Sequence, residues 1–143
     1  MSNLQLCSQL LQNHNAHSGT YSLRGETKYI APLMITAPAL VTTGTINTTT
    51  QAIDGGLAYT QRPDSITGWM KYAPVNGDTG YIEVLLFANN YTDTIGRAKF
   101  STNAALDTWT YFHAAFTYYS SGNPDGSRVI LLPSSGLTPQ VGS

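Results

Sequence analysis

Cys7 is the single cysteine in a chain of 143 residues. Its isolation excludes an internal disulfide, a cysteine-rich zinc site and a CxxC redox motif, and it reads as a small apolar strand residue. Charge is scarce as well. Asp, Glu, Lys and Arg make up 10 % of the chain, well below the roughly 25 % usual in globular domains. Lys and Arg total seven, spread along the chain, and the formal net charge is −1. The basic face that nucleic-acid binding requires is therefore missing. The longest apolar stretch, IAPLMITAPALV at residues 30–41, is interrupted by Pro32 and Pro38. It is about half the roughly 20 residues that a helix needs to span a bilayer. The opening MSNLQLCSQLL has neither a basic leader nor an uninterrupted apolar run of the signal-peptide kind. The expectation is one domain over residues 1–136, excised from a longer chain, with a tail or linker at 137–143.

What the chain does hold is β-forming material. The apolar fraction of 41 % suffices for a core. Thr, Ser, Asn and Gln supply the polarity in place of charge, and Thr suits a pleated, half-buried surface. Strand-like runs recur between turn signals. NLQLCSQLL reads as strand or short helix. TYSLRGETKYI alternates, and the Thr-rich LVTTGTINTTTQAI is strand of uncertain register. SITGWMKYA and YIEVLLFA form the best-marked pair, joined by PVNGDTG with its Asn-Gly hairpin signal. NNYTDTIG reads as loop, RAKFS as a short strand and DTWTYFHAAFTYY as one long strand. RVILLPSS closes the domain as a strand covered on both faces. About eight strands predict an all-β fold, a jelly-roll β-sandwich of two antiparallel sheets, with a small closed barrel as the alternative.

Few residues combine into catalytic patterns. Asp64, Asp78 and Glu83 are close in sequence, as a glycosidase carboxylate pair would be. Asp64 and Asp78, however, occupy turn sequences, RPDS and NGDTG, where local backbone hydrogen bonding accounts for them. Glu83 is the one charged residue of YIEVLLFA, on a face with Tyr81, Leu85 and Phe87, and it reads as a solvent-face residue or a partner for Lys71 across the hairpin. No GxSxG, HExxH or phosphate-cradling loop is present. His14 and His17 in NHNAH and His113 in a strand read as surface histidines. Asp54 and Asp125, in Gly-rich turns, are candidates for a structural calcium, although neither belongs to a DxDxDG loop; no other cofactor is expected. Asn47 and Asn90 begin N-glycosylation triplets, which arise readily in a Thr-rich chain.

The aromatics say more. Alternation in SITGWMKYA places Thr67, Trp69 and Lys71 on one face and Ile66, Met70 and Tyr72 on the other. The first set suits a sugar, whose apolar face stacks on a ring while fixed polar groups bond its hydroxyls. The same set also fits a core tryptophan past which Lys71 extends to water. Both readings stay open at this level.

GLAYTQRPDSITGWMKYAPVNGDTGYIEVLL resembles the central signature of the family called the putative carbohydrate metabolism domain, in which an RP-x-S-x-x-G-[aromatic]-x-K-Y-x-P-x-x-G-D run precedes an apolar strand. AHSGTYSLRGET, IGRAKF, DTWTYFHAAFTYY and PDGSRVILLPSS extend the likeness over roughly residues 16–135. The chain departs from the family pattern in lacking an N-terminal GW-x-x turn and in having PDGS for PDS. The resemblance implies a jelly-roll, carbohydrate-binding-module-like domain of a secreted or cell-surface bacterial protein, next to other domains of a larger chain. The expectation is a non-catalytic module that binds a polysaccharide or other glycan through Trp69, Lys71, Tyr81, Glu83 and Arg62. The competing expectation is a structural or adhesive domain with no soluble ligand.

Overall fold

Alternation of side chains and the demand of strand edges for partners together decide this architecture. A computed structural model describes residues 11–13, 15–47, 49–135 and 138–143. Most of NLQLCSQLL, with Cys7, and also His14 lie outside the described residues. Short strands come first: β1 (Leu11–Asn13), β2 (Ser22–Arg24), β3 (Lys28–Ile30), β4 (Ile35–Ala37), β5 (Val41–Thr42), β6 (Thr45–Asn47), β7 (Ala52–Asp54) and β8 (Leu57–Ala58). Longer ones follow: β9 (Ser65–Tyr72), β10 (Gly80–Ala88), β11 (Asp93–Thr102), β12 (Leu106–Ala115), the short β13 (Thr117–Tyr118), and β14 (Gly126–Leu132).

The main sheet runs β13-β11-β10-β14-β5, with β8 also on β14, and these strands pair antiparallel. A second sheet pairs β12 with β9. The β10–β11 hairpin is thus nested in sequence inside β9 and β12, which pair with each other in the other layer. This is the nesting of a jelly-roll sandwich, and it decides against a closed barrel. The layers meet through Phe100 of β11 and Phe112 of β12, ring centroids 5.3 Å apart. Around them Tyr72, Leu86, Ala98 and Ala114 are buried. Leu86, 1 % exposed, contributes roughly 1.5–3 kcal/mol by its removal from water.

The expected SITGWMKYA–YIEVLLFA hairpin does not form. Both edges of β10 are occupied, by β11 and β14, so β9 crosses to the opposite layer. The Asn-Gly signal is nonetheless obeyed locally. Asn76 and Gly77 take φ of 52° and 72°, and the Asp78 N–H donates to the Val75 carbonyl at 3.1 Å, a tight turn set within a crossover loop. The second half of NNYTDTIG, expected as loop, is strand. The chain turns at Asn89, Asn90 and Tyr91, all at positive φ, and β11 begins at Asp93 because Asp93 and Thr94 pair with Ala88 and Phe87 at the end of β10, Ile95 being the extra residue of a bulge. DTWTYFHAAFTYY breaks at Phe116, whose N–H donates to the Asp64 carbonyl at 2.8 Å, and β13 then joins the main sheet. In the 137–143 segment, the Gly142 N–H donates to the Thr27 carbonyl at 2.8 Å and the Thr27 N–H to Ser143 at 2.7 Å.

Candidate functional site: an aromatic platform beside an open cleft

Antiparallel register sets the outer face of the β9–β12 sheet. Trp69 lies opposite Tyr111 and Thr67 opposite His113. The intervening residues turn inward, Phe112 and Ala114 being buried and Tyr72 only 8 % exposed. The period-two pattern therefore resolves the question left open by the sequence. Trp69 is 47 % exposed and Tyr111 53 % exposed, so the indole faces water, and Lys71 stands exposed on the same face.

The rings form a connected group. Tyr111 meets Trp69 at 5.7 Å between centroids and 67° between planes, the edge-to-face arrangement that the ring quadrupoles favour. Lys71 Nζ lies 5.5 Å from the Trp109 centroid, within cation–π range. His17, from the loop before β2, lies flat on Trp69, with centroids 4.0 Å apart and planes 11° from parallel. The Trp109 Nε1–H donates to Asn15 Oδ1 at 3.4 Å. A cleft of about 720 Å³ opens beside this group, lined by residues of both β9 and β12. Trp69, Met70, Lys71 and Trp109 line it from one layer, Tyr81 and Ile82 from the other. Its further wall carries Arg24 and Glu26, an exposed ion pair at 3.6 Å that contributes little to stability.

The five expected site residues are distributed unequally. Trp69, Lys71 and Tyr81 line the cleft. The Lys99 ammonium sits 3.9 Å above the Tyr81 ring. Burial and then the nearby Glu83 carboxylate push the Tyr81 hydroxyl above its ordinary pKa, while Arg97 pulls it back. Glu83 and Arg62 stand elsewhere. Glu83 alternates with Ile82, and Ile82 lies beside Phe100 on the core-facing side, so Glu83 is on the outer face of the main sheet. It is 7 % exposed and paired with Arg97, two residue pairs along from its register partner Lys99 and on the same face. The expected Lys71 pairing falls with the hairpin. Arg62 donates to the carbonyls of Gly122 and Ser120 and lies 3.9 Å over the Tyr118 ring, which ties two loops together.

The expected carboxylates are not assembled in the cleft. Asp78 is 9 % exposed, its Oδ1 accepting the Thr79 N–H at 2.7 Å, and among the described residues the acids that line the cleft are Glu26 and Asp107. Asp125 accepts the Asn90 N–H at 3.1 Å and Asp54 the Asn47 side-chain amide at 3.2 Å, so both work as turn fasteners. Among the described residues no three His, Cys, Asp or Glu come together as metal ligands. Sequence reasoning missed Trp109 and Tyr111 as members of the platform. The alternation of DTWTYFHAA placed Tyr111 on one face with His113, but only the β9–β12 register brings that face beside Trp69.

No family model matches the chain, and no curated protein matches it. The signature read from RPDS…GWMKY…NGD thus has no family match behind it, while the β-sandwich that it implied is present. A crystal structure of a putative glycoside hydrolase from Bacteroides thetaiotaomicron is similar, with a TM-score of 0.56 and 17 % identity. The likeness covers 75 % of this chain and 44 % of that one. At that identity it is a likeness of fold: this chain is an all-β sandwich that spans less than half of the larger protein it resembles.

Proposed function

We propose that this protein is a non-catalytic glycan-binding module of a secreted or cell-surface bacterial protein. The observation that carries the reading is the exposed, register-locked pair Trp69 and Tyr111 beside an open cleft. Exposed aromatic rings on a rigid sheet face cost stability unless they are used. A pyranose offers the complementary surface, an apolar face to stack and a rim of hydroxyls for directional bonds. Lys71 at the platform and Tyr81 across the cleft supply polar contacts. Trp69, Lys71 and Tyr81 are the proposed contacts, joined by Tyr111 and Trp109. Arg62 and Glu83 are bracing residues in this reading, because their charged groups are engaged by backbone carbonyls and by Arg97. The sandwich fold shared with a putative glycoside hydrolase supports a connection with carbohydrate.

The test is retention on polysaccharide gels containing β-1,4-xylan, β-1,4-mannan, β-1,3-glucan or α-1,4-glucan. Wild type is expected to be retarded by at least one. Trp69→Ala is expected to lose about tenfold in affinity, the size of a lost stacking contact together with its buried area, while the lost ring contacts lower the melting temperature by only about 2–4 °C. Equal retention of the variant removes the platform from the site. Silence of the wild type across the panel favours the adhesive or structural reading instead. Release of reducing ends that Asp107→Asn abolishes would make the module an enzyme.

A further inference from the structure

Stacking a sugar on Trp69 requires a free indole face, and the imidazole of His17 already lies on one, 4.0 Å away and 11° from parallel. The same imidazole meets Trp109 edge-on at 6.2 Å. It thus sits at the junction of both tryptophans, at the mouth of the cleft that Trp69 and Trp109 line. Among the described residues, the loop meets the platform through the stacked His17 and through the Trp109 Nε1–H to Asn15 bond, which at 3.4 Å is long for a hydrogen bond. His17, Ser18, Gly19 and Thr20 are all exposed, so the outer side of the ring is open to water. Gly19 takes φ of +70° with open space around it, and Ser22 Oγ closes the base of the loop by donating to the Asn15 carbonyl at 2.8 Å. The loop is therefore fastened at its stem and light at its tip.

We propose that His17 is a gate on the Trp69 face. In the closed arrangement the imidazole, flat and of similar breadth to a pyranose ring, occupies the place of the stacked sugar. A glycan must displace it, and apparent affinity is set by the fraction of molecules in which the loop is open. The gate also selects among ligands. A monosaccharide exchanges one stacked ring for another and gains little. An oligosaccharide that continues past Lys71 toward Tyr81 adds contacts which the imidazole never made, so the site favours chains over single sugars. The inference rests on the glycan-binding reading, and its two readouts separate the failure of one from the failure of the other.

The first readout needs no sugar. Acrylamide quenching of tryptophan fluorescence is expected to rise in His17→Ala, and this rise is expected to vanish when His17→Ala is combined with Trp69→Phe. An unchanged quenching constant in His17→Ala overturns the gate whatever the panel shows. The second readout is affinity for the panel polysaccharide that retards wild type most. With the loop open about a third of the time, removing the imidazole tightens apparent binding about threefold. Weaker binding by His17→Ala overturns the proposal, because the imidazole would then be a contact and not a cover. If Trp69→Ala binds as wild type while His17→Ala still raises quenching, the sugar platform fails and the cover on the indole stands.

Discussion

Tyr72 shows how much of this structure is decided by single polar atoms. Its ring is buried and its hydroxyl donates to the Pro133 carbonyl at 2.6 Å. Burial, with the Asp78 carboxylate adding to it, pushes its pKa from 10.0 up to about 12. The protonated phenol is thus the form that the fold prefers. Since the unfolded chain releases that proton near 10 and the folded chain near 12, the stabilisation is complete below pH 10 and is lost as pH climbs through that window. Melting temperature should therefore fall on the alkaline side with one proton released on unfolding. Tyr72→Phe should flatten that segment while costing about 1 kcal/mol at neutral pH for the lost hydrogen bond. An alkaline profile that is the same in the variant would show that another group controls the decline. Asp78 Oδ2 is buried without a hydrogen-bond partner among the described residues. Asp78→Asn should consequently move the Tyr72 titration, followed by tyrosinate absorbance, back toward 10.

At the scale of elements, β9 does two jobs, and its glycine shows why. Gly68 faces Phe112 across the β9–β12 pair, and a Cβ there would lie 2.7 Å from the ring of Phe112. That ring is itself buried and lies against Phe100, the planes tilted by 32°, so it has little room to withdraw. Gly68→Ala should cost about 1–3 kcal/mol by overpacking, measured by denaturant titration. It should also shift the near-ultraviolet dichroism of Trp69, because the displaced strand carries the indole. A silent substitution would mean that the layers can part locally. The alternation that sends Trp69 outward and Tyr72 inward was legible in SITGWMKY, since a period of two is a property of the strand alone. The partner of that strand was not legible. YIEVLLFA alternates as a strand should, but edge partners are taken by backbone hydrogen bonds, and no local side-chain pattern says that β11 and β14 will take both edges of β10. Asn76-Gly77 was likewise correctly read as a tight turn and wrongly as a hairpin, because a turn fixes the direction of four residues and not the sheet to which the next strand belongs.

At the scale of the molecule, the sandwich separates two duties that the sequence had gathered into one stretch. Arg62, Lys71 and Glu83, near in sequence, were expected at one ligand site. The crossover from β9 to β10 then places Lys71 on the outer face of one sheet and Glu83 on the outer face of the other. Stacked sheets lie about 10 Å apart, so side chains on the two outer faces are beyond direct contact, and substitutions there should combine additively. Glu83→Gln removes the charge that faces Arg97. Because the Arg97 side chain is 44 % exposed, water can replace much of the lost attraction, and the cost should be about 1 kcal/mol. Trp69→Ala leaves the interior untouched. The double variant should therefore lose stability as the sum of the two single variants and be retained on polysaccharide gels like Trp69→Ala alone. Loss of retention in Glu83→Gln, with folding intact, would put the outer face of the main sheet into the ligand site and require a glycan that wraps the open edge of the sandwich past Tyr81.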